Sequence, residues 1–296
     1  MRVAISGASG LIGSALSRSL QASGHDVLTL VRRTANSPLE IAWDPERGEL
    51  DPAALVGIDA IVHLAGAGVG DKRWTATYKR TILESRVNGT RTIARALASR
   101  PDTPRVFVCG SAIGFYGETG DRPVDETAPA GDGFLADVVV QWERAAQPAV
   151  DAGVRVAFAR TGLVAAPGAG AFGKLLPIFK LGAGGKLGSG RQYWSLISLR
   201  DQVRALEFLL DHTVTGPVNL TAPEPQTNAA VTKALASALR RPAVIPVPGF
   251  ALRLVVGEFA GDILGSQRVV PRRLLDAGFN FRDGAMEQIV AELVRR

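Results

Sequence analysis

The chain begins with a short apolar run, Val3-Ala4-Ile5, that passes at once into Gly7-Ala8-Ser9-Gly10-Leu11-Ile12-Gly13. No other feature constrains the fold as much. A strand that ends in a glycine turn and enters a helix presents unpaired N–H groups, and the positive end of the helix dipole, beyond the edge of the sheet. A pyrophosphate fits there. Gly7 permits the turn, Gly10 lets the backbone approach phosphate, and Gly13 lets helix and strand pack closely. Leu11, Ile12, Ala15, Leu16 and Leu20 form a helical apolar stripe, Gly24 stops it, and Val27-Leu28-Thr29-Leu30-Val31 reads as a second buried strand. The result is a βαβ unit suited to a dinucleotide.

With 296 residues, 46% of them hydrophobic and 21% charged, the chain can bury a sizeable core and has no reason to be disordered. It contains no apolar run long enough to span a bilayer and no signal-peptide layout at its start, so no membrane partner is expected and the cytoplasm is the expected location. Cys109, the only cysteine, lies in the apolar run Val106-Phe107-Val108-Cys109 and reads as a small core residue. His25, His63 and His212 are scattered, with no metal-ligand spacing, so no metal site is expected. The net charge of +6 is spread along the chain without an aromatic and basic recognition pattern, which argues against nucleic acid and suits anionic small ligands.

Strand and helix patterns alternate along most of the chain. Ile58 to Gly66 reads as a strand, about Thr75 to Ser99 as a long helix, Arg105 to Cys109 as a strand, about Phe134 to Ala152 as a helix, and Val154 to Ala159 as a strand. This rhythm predicts an α/β fold, a doubly wound parallel sheet with helices on both faces. Between Gly162 and Gly190 nine glycines, with Pro167 and Pro177, break the pattern, and no compact strand-helix unit is expected there. Leu199 to Leu210 reads as a helix and Gly216 to Leu220 as a late strand of the main sheet. Helices near Asn228 to Leu239 and Gly284 to Arg295 then belong to a smaller lid. The expected division is 1–165 with about 197–222 for the cofactor, and 166–196 with 223–296 for the substrate.

The glycine loop, His63-Leu64-Ala65-Gly66 at a strand end, Asn88-Gly89-Thr90 on the next helix, and Ser111 after Val106 to Gly110 resemble the extended short-chain dehydrogenase/reductase superfamily, a Rossmann fold. Gly188-Ser189-Gly190-Arg191-Gln192-Tyr193, Gly216-Pro217-Val218-Asn219-Leu220, Thr227-Asn228, and Ser266-Gln267-Arg268-Val269 followed by Pro271 and Leu274-Leu275 resemble its subgroup of epimerase family proteins, which ends in a short C-terminal domain. The resemblance implies a nicotinamide cofactor along the strand ends, touching Gly7, Ser9, Gly10, Leu11, Ile12, Gly13, Leu64, Ala65, Gly66 and Leu163, with a small-molecule substrate between the domains.

Sites that prefer NAD place an acidic residue after the second strand to hold the ribose hydroxyl, whereas this chain has Arg32 and Arg33. A guanidinium pairs with a 2′-phosphate, so the expected cofactor is NADP(H). Arg86 is either a second positive contact or a surface arginine.

In the superfamily a Tyr, and a Lys four residues later, carry the proton transfer. Registered on Glu143, those positions hold Leu135 and Val139, and the chain has no Tyr-x-x-x-Lys anywhere. Ser111 remains at the position that bonds a substrate oxygen, in a loop one residue longer than the usual Ser-to-Tyr-Gly spacing. Tyr116 is either the substitute acid or a packing aromatic. Lys72 and Lys79 are alternative donors or surface charges. Residues 162–191 are expected over the pocket, where Lys174, Lys180, Lys186 and Arg191 attract an anion, and Asp201 is expected to cap a helix start. Two functions follow: an NADP(H)-dependent oxidoreductase or epimerase-like enzyme acting on an anionic or sugar-nucleotide-like substrate, or an NADP(H)-binding regulator without turnover. Monomer and homodimer both stay open.

Overall fold

The structure, a computed structural model, describes residues 1–295. Strand β1 (Arg2–Ser6) leads through the glycine turn into helix α1 (Leu11–Ala22), and β2 (Asp26–Val31) closes the first βαβ unit. Then come β3 (Glu40–Asp44), the short β4 (Glu49–Leu50), β5 (Ala60–His63), the long helix α2 (Ala76–Ala98) and β6 (Val106–Ala112). Helices α3 (Phe134–Arg144) and α4 (Gln147–Asp151) precede β7 (Arg155–Thr161) and β8 (Leu163–Ala165). After α5 (Gly170–Lys180), β9 (Tyr193–Trp194) and β10 (Leu196–Ser198), helix α6 (Leu199–Asp211) returns the chain to β11 (Gly216–Leu220). The remainder is β12 (Gln226–Thr227), α7 (Asn228–Leu239), α8 (Gly249–Val256), α9 (Ala260–Leu264), α10 (Arg272–Asp276) and α11 (Met286–Val294).

The main sheet has the order β11-β7-β6-β5-β1-β2-β3-β4, parallel except for β4. From β1 the chain first builds outward through β2 and β3, then crosses to β5 on the other side of β1. The β1/β5 junction is therefore the topological switch point, where open α/β sheets hold ligands. Side chains alternate across the sheet. Val3 and Ile5 meet Leu16 and Leu20 of α1 and Leu206 and Leu209 of α6, while Ala4, Ile61, Phe107 and Cys109 meet Ile93 and Leu97 of α2 and Trp142 of α3. Burial on both faces explains the near-continuous apolar runs.

Three elements depart from the sequence reading. The glycine-rich stretch does contain a strand and a helix, β8 and α5. Its glycines serve close backbone packing: a Cβ on Gly162 would lie 2.5 Å from the Ser195 carbonyl oxygen, and one on Gly173 would lie 2.8 Å from the Gly168 backbone. Phe172, Leu176 and Phe179 of α5 occupy i, i+4 and i+7 and join Leu235 of α7 and Ile289 of α11 in a second core. The helix expected from Phe134 to Ala152 is broken into α3 and α4, with Pro148, which has no N–H to donate, in the first turn of α4. The sheet also gains β3 and β4 beyond the expected strands.

The C-terminal domain is pinned to the sheet by buried polar groups. Ser198, rather than Asp201, caps α6, accepting from the Asp201 N–H at 3.0 Å. The Asp201 carboxylate, fully buried, instead accepts from the backbone N–H groups of Arg282 and Asp283 at 3.0 and 2.7 Å and pairs with Arg204 at 2.9 Å. Glu126 similarly accepts from the N–H of Asn219 on β11 and the N–H of Arg273 on α10. We predict that Asp201→Ala lowers unfolding free energy in urea by about 2–5 kcal/mol, because it strands the buried Asp283 N–H together with the Arg282 N–H and the Arg204 guanidinium; a loss under about 0.5 kcal/mol, as at an ordinary surface position, would contradict this.

Candidate functional site

At the switch point the backbone of the glycine loop lies directly on the loop after β5. Gly7 has φ +71°, in the left-handed region, and a Cβ there would stand 2.8 Å from the Ala65 nitrogen and 2.9 Å from the Leu64 carbonyl carbon. A Cβ on Gly13 would stand 2.2 Å from the Gly7 carbonyl oxygen. Both glycines are thus dictated by contacts within the protein. The N–H of Gly10 closes the turn on the Gly7 carbonyl at 3.0 Å, and the Ser14 N–H makes the first helical bond, to Gly10, at 2.9 Å. The N–H groups of Leu11, Ile12 and Gly13 lie before that bond. No side chain caps this end of α1 and its first turn holds no acid, so an anion meets open donors and a favourable dipole without a competing carboxylate.

Residues outside the glycine motif fix this junction. Ser6 Oγ lies 2.6 Å from His63 Nδ1 and accepts from the Leu64 and Ala65 N–H groups at 3.2 and 3.4 Å. His63 is completely buried, and burial pushes its pKa down to about 3, with the nearby Arg86 acting in the same direction. Its Nε2 has no partner among the described residues, and its ring fills the space a Cβ on Gly89 would need, 2.9 Å away. Thr90 Oγ1 accepts from Trp142 Nε1 at 2.9 Å and faces the Cys109 thiol, whose pKa burial pushes up to about 12. The Asn88-Gly89-Thr90 motif therefore seats α2 against β5 and β6. Arg86, one turn earlier, donates from Nη1 to the Ala67 and Ile82 carbonyls at 2.9 and 3.0 Å, lies over Trp142, and has no carboxylate partner among the described residues. Desolvation lowers its pKa to about 10, so this cation sits in a poorly solvated place beside Gly66, uncompensated by any acid.

Beyond β2 the two arginines separate in role. Arg33 forms a bidentate pair with Glu40, at 2.8 and 2.6 Å, and the Glu40 carboxyl is held down to about 2 by that hydrogen bonding. Arg32 is exposed and has no ion-pair or hydrogen-bond partner among the described residues. Leu163 of β8 is half-buried, its N–H donating to the Ser195 carbonyl at 2.9 Å.

At the end of β6 the hydroxyls belong to one buried network. Ser111 Oγ donates to Glu143 Oε1 at 2.6 Å; Arg160 grips both oxygens of Glu143 at 2.8 Å and donates from Nη1 to the Tyr116 hydroxyl at 3.0 Å; Tyr116 in turn donates to Asn219 Oδ1 at 2.7 Å. Tyr116 is 3% exposed, and burial pushes its pKa upward. Of the two expected roles, substitute acid or packing aromatic, the structure places Tyr116 in the packed one, as a link bonded on both sides. Glu143 and Arg160 were not singled out by sequence; a charged residue closing a buried strand and an acid facing it on α3 are the signals that mark them. Leu135 and Val139 precede Glu143 on its face of α3, at four-residue spacing, and neither carries a titratable atom. Lys79 is ion-paired to Glu258 and stands over the Phe134 ring at 4.9 Å, Lys174 donates to the Gly70 carbonyl at 3.0 Å, and Lys72 stands 5.8 Å over the Tyr78 ring. No group of three or more His, Cys, Asp or Glu suited to a metal occurs among the described residues.

Two predictions follow from this packing. Glu143→Ala, which leaves the Arg160 guanidinium buried and unpaired, costs about 3–5 kcal/mol in urea unfolding; a cost under about 1 kcal/mol would mean the network is solvated. His63 stays neutral in the folded state down to about pH 3 while the unfolded chain binds its proton near pH 6.5. Its contribution to stability is therefore complete above about pH 6.5 and is lost progressively as pH falls toward 3. Imidazole nitrogen shifts from NMR that show His63 charged at pH 5 would contradict the assignment.

Comparison with known proteins agrees with this geometry. Residues 3–221 match the model of the NAD dependent epimerase/dehydratase family, and residues 247–293 match a domain of unknown function, DUF1731. An epimerase family protein of Mycobacterium bovis is 44% identical over 296 residues, covering 99% of this chain and 98% of the relative. The human epimerase family protein SDR39U1 (isoform2), solved with NADPH, superposes with a TM-score of 0.92 at 34% identity and 99% coverage of both chains. A nucleoside-diphosphate sugar epimerase from Corynebacterium glutamicum superposes with a TM-score of 0.81 at 35% identity, covering 99% of this chain and 58% of that one. A parallel sheet with its glycine turn at the switch point and these full-length relatives lead to one assignment: the chain belongs to the NAD dependent epimerase/dehydratase family, in its subgroup of epimerase family proteins.

Proposed function

We propose that this protein binds NADP(H) at the β1/β5 junction and uses it in an oxidoreductase or epimerase-like reaction on a small anionic or sugar-nucleotide-like substrate. Arg32 carries the choice of cofactor. It stands, unpaired among the described residues, where an acidic residue would select the unphosphorylated ribose, while Arg33 pairs with Glu40 and so offsets that carboxylate as a source of repulsion for a 2′-phosphate. The human relative solved with NADPH supports the same choice. In this reading Gly7, Ser9, Gly10, Leu11, Ile12 and Gly13 receive the pyrophosphate; Leu64, Ala65, Gly66 and Leu163 line its path, and Arg86 adds positive potential. Residues 1–165 with about 197–222 carry the cofactor, and 166–196 with 223–296 the substrate. The C. glutamicum relative supports the sugar-nucleotide class.

The bound cofactor supplies hydride chemistry. The chain's own contribution is to orient. Ser111 donates its only proton to Glu143, whose two oxygens Arg160 grips, so its own oxygen presents lone pairs and accepts from a substrate hydroxyl. Leu135 and Val139 are inert and the Tyr116 hydroxyl is occupied on both sides, so none of these three offers a free proton. That observation favours a second reading, an NADP(H)-binding regulator without turnover.

Incubation with NADPH and a panel of carbonyl compounds and nucleotide sugars separates the two. Substrate-dependent loss of absorbance at the reduced nicotinamide band supports the enzyme; saturable binding with no hydride exchange across the panel supports the regulator. For the cofactor, Arg32→Ala weakens NADPH binding about ten- to a hundredfold and leaves NADH binding within about twofold. Equal weakening of both cofactors would remove Arg32 from the 2′-phosphate.

A further inference from the structure

Helix α8 carries Phe250, Leu252, Leu254, Val255 and Val256 yet has no buried residue. Phe250, Leu254 and Val255 are 73–75% exposed, Leu181 85% and Val244 79%. The segments that carry them run side by side. The Ile245 N–H donates to the Gly184 carbonyl at 3.3 Å and the Val247 N–H to the Lys186 carbonyl at 2.9 Å, joining the segment after Leu181 to the segment that runs directly into α8. Soluble surfaces scatter large apolar side chains singly, so a cluster of this kind marks a contact.

Along these two segments the charge has one sign. Residues 174–191 and 229–257 contain eight Lys and Arg and no Asp or Glu. Lys180 adjoins Leu181, Arg253 adjoins Leu254, and Lys186, Arg240 and Arg241 lie on or beside the paired segments; none has a carboxylate partner among the described residues. Glu258, just after α8, is taken by Lys79. A second copy joined through this face by a two-fold axis would set the same cations against one another. The side chains stand largely in solvent, which suits a medium that deforms around them.

We propose that this face docks peripherally on an anionic phospholipid surface, with α8 laying Phe250 and Leu254 into the boundary between headgroups and acyl chains and the flanking Lys and Arg among the lipid phosphates. Contact is at the surface only, since among the described residues no helix is long and apolar enough to cross a membrane. It is independent of the cofactor assignment.

The test is co-sedimentation of the full chain with phosphatidylcholine vesicles that contain about one-third phosphatidylserine. The protein sediments with these vesicles and not with pure phosphatidylcholine. Binding falls at least about tenfold in the Phe250→Glu/Leu254→Glu double variant and weakens in about 0.5 M NaCl. Unchanged circular dichroism and NADPH binding of the variant confirm that both exposed sites tolerate the change. Failure of the wild-type chain to bind the anionic vesicles would overturn the proposal. So would a solution dimer that the double variant dissociates, which would make a second copy the occupant, or binding to an acidic amphipathic peptide without binding to vesicles.

Discussion

The contact between the glycine loop and the loop after β5 organises the rest of the molecule. A side chain on Gly7 would fall within 2.8 Å of the Ala65 backbone, and one on Gly13 within 2.2 Å of the Gly7 carbonyl. Such approach brings the open end of α1 to the switch point of the sheet. Ser6 and His63, paired residues of adjacent strands, tie the two loops together from beneath. Burial holds His63 neutral, which matters because a cation there would need a partner the core does not offer. The local demand for glycine, the position of α2 over Gly89 and the place of Arg86 all follow from how closely these backbones pass.

A second layer of order lies at the far end of β6 and β7. The two positions of α3 where the resemblance implies Tyr and Lys carry Leu135 and Val139, and one helical turn further stands a carboxylate gripped by Arg160. A buried ion pair of this kind adds little net stability, yet losing either member is costly. It also links Ser111, Tyr116 and Asn219, so the residues nearest the proposed reaction are coupled to β11 and, through Glu126, to α10. The same region thus serves to dock the C-terminal domain on the sheet.

Much of this was legible in the residues. The βαβ start, the long helix α2 and the late strand β11 showed in periodicity, because both faces of the sheet and one stripe of each helix are buried. Strand β3 was not, because Glu40 and Asp44 bracket only three residues and carry the polarity of a loop. Helix α5 was hidden by Gly170, Gly173 and Pro177, which signal turns unless one knows what backbone passes alongside. At the candidate site, the glycine loop and the pair Arg32-Arg33 after β2 stand out by position alone. The pairing of Arg33 with Glu40, the burial of Tyr116 and the Glu143–Arg160 grip depend on contacts between distant segments, and no local pattern carries them.

The account's central claim is a place for NADP(H), and a crystal structure grown with NADPH addresses it most directly. The account predicts pyrophosphate oxygens on the N–H groups of Leu11, Ile12 and Gly13, and the 2′-phosphate within hydrogen-bond reach of the Arg32 guanidinium. Crystals that exclude the cofactor, or hold it with the 2′-phosphate turned away from Arg32, would contradict it.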